Sequence, residues 1–284
     1  MVRVFRLPGP ALAPFVAVLW HVDEPLPPGL ERKIPTGSMQ LVVNLRQDRL
    51  RWFDGQAFGR EHRTAGSGLC GPIDHAVGIH TGDQRTAVGA EFRPGGTTLL
   101  CTTPAHALGG APVIDLATIW GRDGATLRER LLDQPSPHDR ISVLEDVLVT
   151  RLRRFPGPDE TVRGGHRREA LSGPWISEAT RALEDGHAVR DVGDRLGMTT
   201  STFTRRFRSA VGLNPKPFAR LRRLQRVLTS LPGDRPDWSG VAAAHRFADQ
   251  AHLIHEFRSI TGVTPTAYVP RSPGESNHVP LRPD

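Results

Sequence analysis

The chain is short of several things. It has two cysteines in 284 residues, Cys70 and Cys101, too few for a disulfide framework or a four-thiolate zinc site. Reduced, partly buried thiols are the expectation. No run of some 18 apolar residues occurs, which argues against a membrane-spanning helix. The opening "MVRVFRLPGPALAPF" is broken by prolines and has no cationic start followed by an apolar block. It does not read as a signal peptide, so a cytoplasmic protein is expected. Lysine is nearly absent: Lys33 and Lys216 are the only two among 37 basic residues. There is no G-x-S-x-G nucleophile turn, and "RPGGTT" lacks the G-K-[ST] of a phosphate loop.

The most informative absence is local. From Thr199 to Arg226 there is no Asp or Glu, while eight residues are Lys or Arg. The net charge of +7 permits an acidic partner, and this run concentrates the positive field where phosphates would be met.

The same stretch is half of a repeat. "TTSTFTRRFRSAVGLNPKPF" and, fifty residues on, "DQAHLIHEFRSITGVTPTAY" share F-R-S-x-x-G-[LV]-x-P. In the first copy Val189, Val192 and Leu196 fall on one face of a short helix. A turn follows at 197–199, with Thr199 or Thr200 placed to cap the next helix. That helix buries Phe203 and Phe207, four apart, and ends at Gly212 before Pro215. The second copy uses Trp238–Phe247, with Val241 and Ala244 inside, then Asp249 as cap, Leu253 and Phe257 as the buried pair, and Gly262 and Pro265 as the stop. Each copy predicts a helix-turn-helix. Between them Phe218, Leu221, Leu224, Leu228 and Leu231 form an apolar stripe of helical period, with Arg220, Arg222, Arg223 and Arg226 off it. A connector of some fourteen helical residues, about 20 Å long, suits two reading helices about one DNA turn apart.

The rest of the chain is coarser. Residues 1 to about 110 are strand-rich, with "MQLVVNL", "RLRWF", "DHAVGIH" and "RTAVGAEF" as strands. "ATLRERLL" and "ISVLEDVLVTRLRR" have helical leucine and valine spacing. The predicted fold class is α+β. A β-rich regulatory domain with a helical extension (1–155) precedes a linker (156–172) rich in Pro, Gly and charge. An all-α domain (173–270) and a tail of disorder-like composition (271–284) follow. Leu127, Leu131, Leu144, Val147 and Leu148 are either a dimer seam or, the preferred reading, the domain's own core.

"LGMTTSTFTRRFRSAVGLNP" together with "VAAAHRFADQAHLIHEFRSITGVTPTAY" resembles the paired helix-turn-helix domain of AraC-type bacterial transcription regulators, over about a third of the chain. There are two departures: Arg246-Phe247 stands where the family usually has Gly-Phe, and Gly193 where alanine is usual. "PTGSMQLVVNL", "LCGP" and "VGAEFRPGG" resemble, more loosely, an N-terminal domain of some actinobacterial members.

The resemblance implies a sequence-specific DNA-binding regulator that is not an enzyme, with duplex DNA as partner. It admits a small-molecule effector, a homodimer and RNA polymerase. It implies Ser201, Thr204 and Arg205 as base readers in the first unit and Gln250, Ala251, Ile254 and His255 in the second. Arg205 is the residue suited to grip guanine. Arg206, Arg208 and Arg258 are expected on phosphates, which position without specifying. His252 reads as packing or surface. For Arg220, Arg222, Arg223 and Arg226, DNA contact and a solvated helix face remain equally open.

Two rival readings make their own demands on residue type and spacing. Such sensor domains often resemble cupins, so a cupin-like metal enzyme or a small-molecule binding module fused to the DNA-binding domain is the rival. His75 and His80, with Glu91 downstream, are the candidate ligands, but a spacing of five sends two strand residues to opposite faces. No metal or cofactor is therefore expected. A methyl-accepting cysteine held by zinc needs more thiolates than are present. Glu91 and Arg93, two apart, would share a strand face and either line an effector pocket or form an ion pair.

Overall fold

The computed structural model describes residues 2–99, 101, 103–109, 111–154, 173–231 and 236–281. The expected linker at 156–172 lies outside the described residues.

The N-terminal part is built of antiparallel strands in two sheets. One has six strands in the order β1-β2-β9-β4-β7-β10. These are Val2–Arg6, Val16–Asp23, Thr86–Phe92, Gln40–Asn44, Ser67–Cys70 and Val113–Asp115. The other has five, β11-β3-β8-β5-β6, namely His278–Pro280, Leu30–Lys33, Val77–His80, Leu50–Asp54 and Arg60–Thr64. The four strand segments read from sequence appear as β4, β5, β8 and β9.

Alternation sorts the six-stranded sheet into two faces. Leu41, Val43, Val88, Ala90 and Phe92 join one buried core. Their neighbours Gln40, Val42, Ala87 and Glu91 face a cavity on the other side. On β2 a bulge between Val16 and Val18 resets the parity, so Val16 and Leu19 both reach the core. Helices α1 (Leu116–Trp120), α2 (Arg122–Leu132) and α3 (Pro137–Arg154) cover the core face. Leu127, Leu131, Leu144, Val147 and Leu148 are all buried in this same core. They serve their own domain rather than an external seam.

The C-terminal part is helical: α4 (Pro174–Glu184), α5 (Val189–Arg195), α6 (Thr200–Val211), α7 (Pro215–Ser230), α8 (Trp238–Ala244) and α9 (Gln250–Thr261). Phe203, Phe207, Phe218 and Phe257 are fully buried at its centre. The Phe207 ring meets Phe218 edge-on at 5.3 Å, which ties the first unit to α7. Replacing one such ring by Ala costs about 3–5 kcal/mol.

The segment 271–284, expected to be disordered, differs from that expectation over its described residues. After the second unit the chain returns to the N-terminal domain, and β11 pairs antiparallel with β3, Val279 opposite Arg32. Composition hid this because, among the described residues of the segment, only one apolar side chain, Val279, is buried; the docking contacts beside it are polar. Tyr268 Oη donates to the Ser276 carbonyl at 2.6 Å, and Arg271 ion-pairs with Glu31 at 2.9 Å. His278 Nδ1 lies 2.6 Å from Glu31 Oε1.

The two parts share further contacts. Ile34 and Val279 complete the helical core. Gln225 on α7 donates to the Pro35 carbonyl at 2.7 Å, and Arg222 to the Thr36 carbonyl at 3.0 Å. The loop between β7 and β8 touches both helix-turn-helix units. Pro72 packs against Gly212, where an added Cβ would lie 2.3 Å from the proline ring. The Ala76 N–H donates to the Ile260 carbonyl at 2.7 Å.

Candidate nucleic-acid interface

Helices α5 and α6 form the first helix-turn-helix, α8 and α9 the second. Thr199 caps α6, its hydroxyl accepting from the Thr202 N–H at 3.3 Å. Asp249 caps α9, accepting from the His252 N–H at 2.7 Å. Gly212 and Gly262 end the two helices in the left-handed conformation. In α8 the buried residue is Ala242; Val241 is half-buried and Ala244 is exposed, against the expectation of Val241 and Ala244 inside. Helix α8 ends at Ala244 rather than running on to Phe247, and this resets which side faces in.

The unusual Arg246 has a backbone explanation. It occupies the turn position that Gly197 fills in the first unit, and both are left-handed, with φ of 59° and 65°. A non-glycine residue there costs about 1–2 kcal/mol. Arg246 offsets this with two bonds: Nη1 donates to the Asp185 carbonyl at 2.9 Å, and its own carbonyl accepts from Arg223 at 3.2 Å.

On α6, Ser201, Arg205 and Arg208 are exposed and Thr204 half-buried. On α9, Gln250, Ala251, His255 and Arg258 are exposed and Ile254 half-buried. Among the described residues, Arg205, Arg208 and Arg258 have no ion pair or side-chain hydrogen bond within the chain. Arg206 differs from its expected phosphate role in where it sits. It is half-buried, with its guanidinium 5.3 Å from the Trp175 ring. Cation–π stacking accounts for that placement.

The arginines of α7 are mostly engaged internally. Arg220 and Arg223 both reach Glu256 of α9, each at 2.9 Å. Arg222 holds Glu184 of α4 at 2.7 Å. Only Arg226 of the four is exposed. His252 lies edge-on to Phe247 with centroids 5.5 Å apart, and its Nε2 is 3.3 Å from Glu256. The glutamate and one of the two histidines of the second copy are therefore structural. Sequence reasoning missed this clamp, although a lone acid amid apolar and basic neighbours on one helix is the signal that marks it.

A cavity of about 370 Å³ lies between the two sheets and is roofed by the tail residues 274–278. Glu91 lines it. Arg93 does not: it lies past the end of β9, exposed, with Nε donating to the Ala13 carbonyl at 2.9 Å. The expected pairing of Glu91 with Arg93 on one face fails because the strand stops at Phe92. His80 also lines the cavity, and its Nδ1 accepts from the Gly82 N–H at 3.0 Å. His75 is outside any strand, beside Asp74. Among the described residues, no group of three or more His, Cys, Asp or Glu side chains is placed to hold a metal ion. Burial pushes the thiols of Cys70 and Cys101 up to about 11, so both stay protonated at neutral pH. Among the described residues no helix is long and apolar enough to cross a membrane.

Lys33, one of the two lysines, opens into the same cavity. Its ammonium is 2.7 Å from His278 Nε2. Burial lowers the Lys33 pKa, against the pull of the Glu91 and Glu31 carboxylates. His278 is pushed down to about 4 by burial and by the Lys33 charge, which outweigh Glu31. A neutral His278 that donates from Nδ1 to Glu31 and accepts at Nε2 from Lys33 satisfies both contacts.

Residues 192–271 match a family described as a helix-turn-helix domain, and residues 5–113 match a domain of unknown function, DUF6597. No curated protein matches the sequence. Among solved structures, ToxT from Vibrio cholerae O395 is similar at 9% identity over 88% of this chain and 95% of that one, with a TM-score of 0.42. The unsaturated-fatty-acid-bound ToxT of strain SCE256 is similar at 9% identity over 94% of each chain, with a TM-score of 0.43. The chain thus joins an N-terminal region similar to DUF6597 to a C-terminal region similar to a helix-turn-helix domain.

Proposed function

We propose that the chain binds duplex DNA sequence-specifically by placing α6 and α9 in successive major grooves. In this reading Ser201, Thr204 and Arg205 read bases from α6, and Gln250, Ala251, Ile254 and His255 from α9. Arg208 and Arg258 hold phosphates, while Arg206 supports the fold against Trp175. The observation that carries the reading is the division of labour among arginines. Those of α7 are largely spent on Glu256 and Glu184, whereas Arg205, Arg208 and Arg258 stand exposed and, among the described residues, unbonded. An exposed guanidinium on a capped recognition helix is the group that grips guanine O6 and N7.

The domains divide as 1–155 and 173–270, but the tail belongs in space to the first. The N-terminal domain acts as the sensor through its cavity, with Glu91 on the wall. Cavities of this size fall within the usual small-molecule range of roughly 300–1,000 Å³.

Selection of bound duplexes from a random pool tests the DNA reading. The expected product is a bipartite motif whose halves lie about one helical turn apart. A one-part motif would confine readout to the first unit, and no enrichment at physiological salt would end the proposal.

A further inference from the structure

The charges that line the cavity pair off with two exceptions. Arg3 holds Glu24 and Glu275, Arg51 holds Asp83, and Arg271 holds Glu275 together with the buried Glu31. Lys33 and Glu91 remain. Among the described residues Lys33 has His278 as its hydrogen-bond neighbour and no carboxylate within ion-pair distance. Among the described residues Glu91 has no ion pair or side-chain hydrogen bond either.

Their placement is specific. Gln40 on β4 is the cross-strand partner of Glu91 on one side and of Cys70 on the other. The three side chains form a row on the cavity wall of the six-stranded sheet. Lys33 comes from β3 of the opposite sheet, and Glu91 is the carboxylate with most influence on it. One wall offers a cation and the other an anion, with an amide beside the anion and no direct bond between the two charges. Most of the remaining lining is apolar, including Val18, Trp20, Val42, Leu50 and Ile79.

A desolvated charge without a partner is costly. A carboxylate alone would satisfy Lys33 and leave Glu91, and an amine alone would do the reverse. A solute that carries both satisfies both. It also adds no net charge to a lining in which four acids (Glu24, Asp83, Glu91, Glu275) balance four bases (Arg3, Lys33, Arg51, Arg271). We propose that the cavity binds a zwitterion of the apolar α-amino acid type. Lys33 takes its carboxylate, Glu91 its ammonium with Gln40 beside it, and its side chain lies against Trp20 and the aliphatic wall. This rests on the reading of the N-terminal domain as a sensor and is independent of how the helices meet DNA.

The test uses the full chain without DNA, by calorimetric titration and thermal unfolding. The probes are L-leucine, L-phenylalanine and L-tryptophan. Each is run beside its deaminated acid (4-methylpentanoate, 3-phenylpropionate, indole-3-propionate) and its decarboxylated amine (isoamylamine, phenethylamine, tryptamine). At least one amino acid is expected to bind saturably and raise the Tm, at least tenfold tighter than either analogue. Lys33→Met should erase its advantage over the amine, and Glu91→Gln its advantage over the acid. An acid or amine that binds as tightly as the amino acid overturns the zwitterion while leaving a sensor cavity. Absence of saturable binding by all nine compounds overturns the proposal and removes its support for the sensor. An unchanged ligand preference in a folded Glu91→Gln chain also overturns it, whether or not Lys33→Met folds.

Discussion

Arg223 of α7 donates to Glu256 of α9 at 2.9 Å, and the carboxylate it meets is nearly shielded from solvent. Arg220 reaches the other oxygen of the same carboxylate. The second unit is thus fastened to the rod that also packs on the first. Glu256→Ala should cost about 1.5–3 kcal/mol, the range for hydrogen bonds to charged groups. Chemical unfolding reads that loss. Site selection with the same variant should blur the half-site assigned to α9 and spare that of α6. Blurring of both halves alike would argue that the clamp is not local to the second unit.

Arg205→Ala should leave unfolding within about 0.5 kcal/mol of the parent, since the side chain is exposed and unbonded. It should instead flatten discrimination at one base pair by about 1–3 kcal/mol. Gln250→Ala and His255→Ala should flatten less, as measured on base-substituted duplexes. Equal losses in the three variants would refute the assignment of specificity to α6.

Arg208→Ala and Arg258→Ala should each lower the slope of log affinity against log salt by about 0.9 without changing the preferred sequence. Arg206→Ala is expected to behave differently. It loses the stack on Trp175 and hence stability, and its salt slope stays near the parent's. A slope change for Arg206→Ala as large as that for Arg208→Ala would return it to the phosphate set.

Arg246→Gly relieves a left-handed backbone and removes the bond to the Asp185 carbonyl, two effects of opposite sign. The net change in unfolding free energy should stay within about 1 kcal/mol. Arg246→Val keeps the strain, adds a branched Cβ and loses the bond, so it should be clearly destabilised. A valine variant as stable as the glycine one would show that the turn is not held in this conformation.

The histidine in the tail carries a pH prediction. His278 has its pKa depressed from 6.5 to about 4 in the folded chain, with Lys33, Glu31 and Arg271 facing it. Between those values the unfolded chain binds a proton that the folded chain refuses. Stability present at pH 7 should therefore fall as pH drops from about 6.5 to about 4, by on the order of 3 kcal/mol. His21, His80 and His245 are also depressed by burial and add to the fall. The difference between the parent and His278→Gln isolates the tail. The variant should lose less stability from pH 6.5 to 4.5, and identical profiles would contradict the burial of a neutral imidazole.

Much of the helical half was legible because its signals are local. Caps at Thr199 and Asp249, paired aromatics four apart and terminal glycines all act within one or two turns. The strands β4, β5, β8 and β9 were legible for the same reason, as runs of β-branched and aromatic residues between breakers. What escaped was non-local. The docking of β11 on β3 depends on Glu31, some 240 positions from Arg271, and no periodicity records that. The Glu256 clamp needs α7 and α9 already side by side. The cavity takes its walls from both sheets and its roof from the tail, so Lys33 and Glu91 come to line one space only after folding.

The loop at residues 71–76 bears on both helix-turn-helix units at once, Pro72 at the end of α6 and Ala76 at the end of α9. The stretch therefore bridges the ends of α6 and α9 like a caliper with one jaw on each.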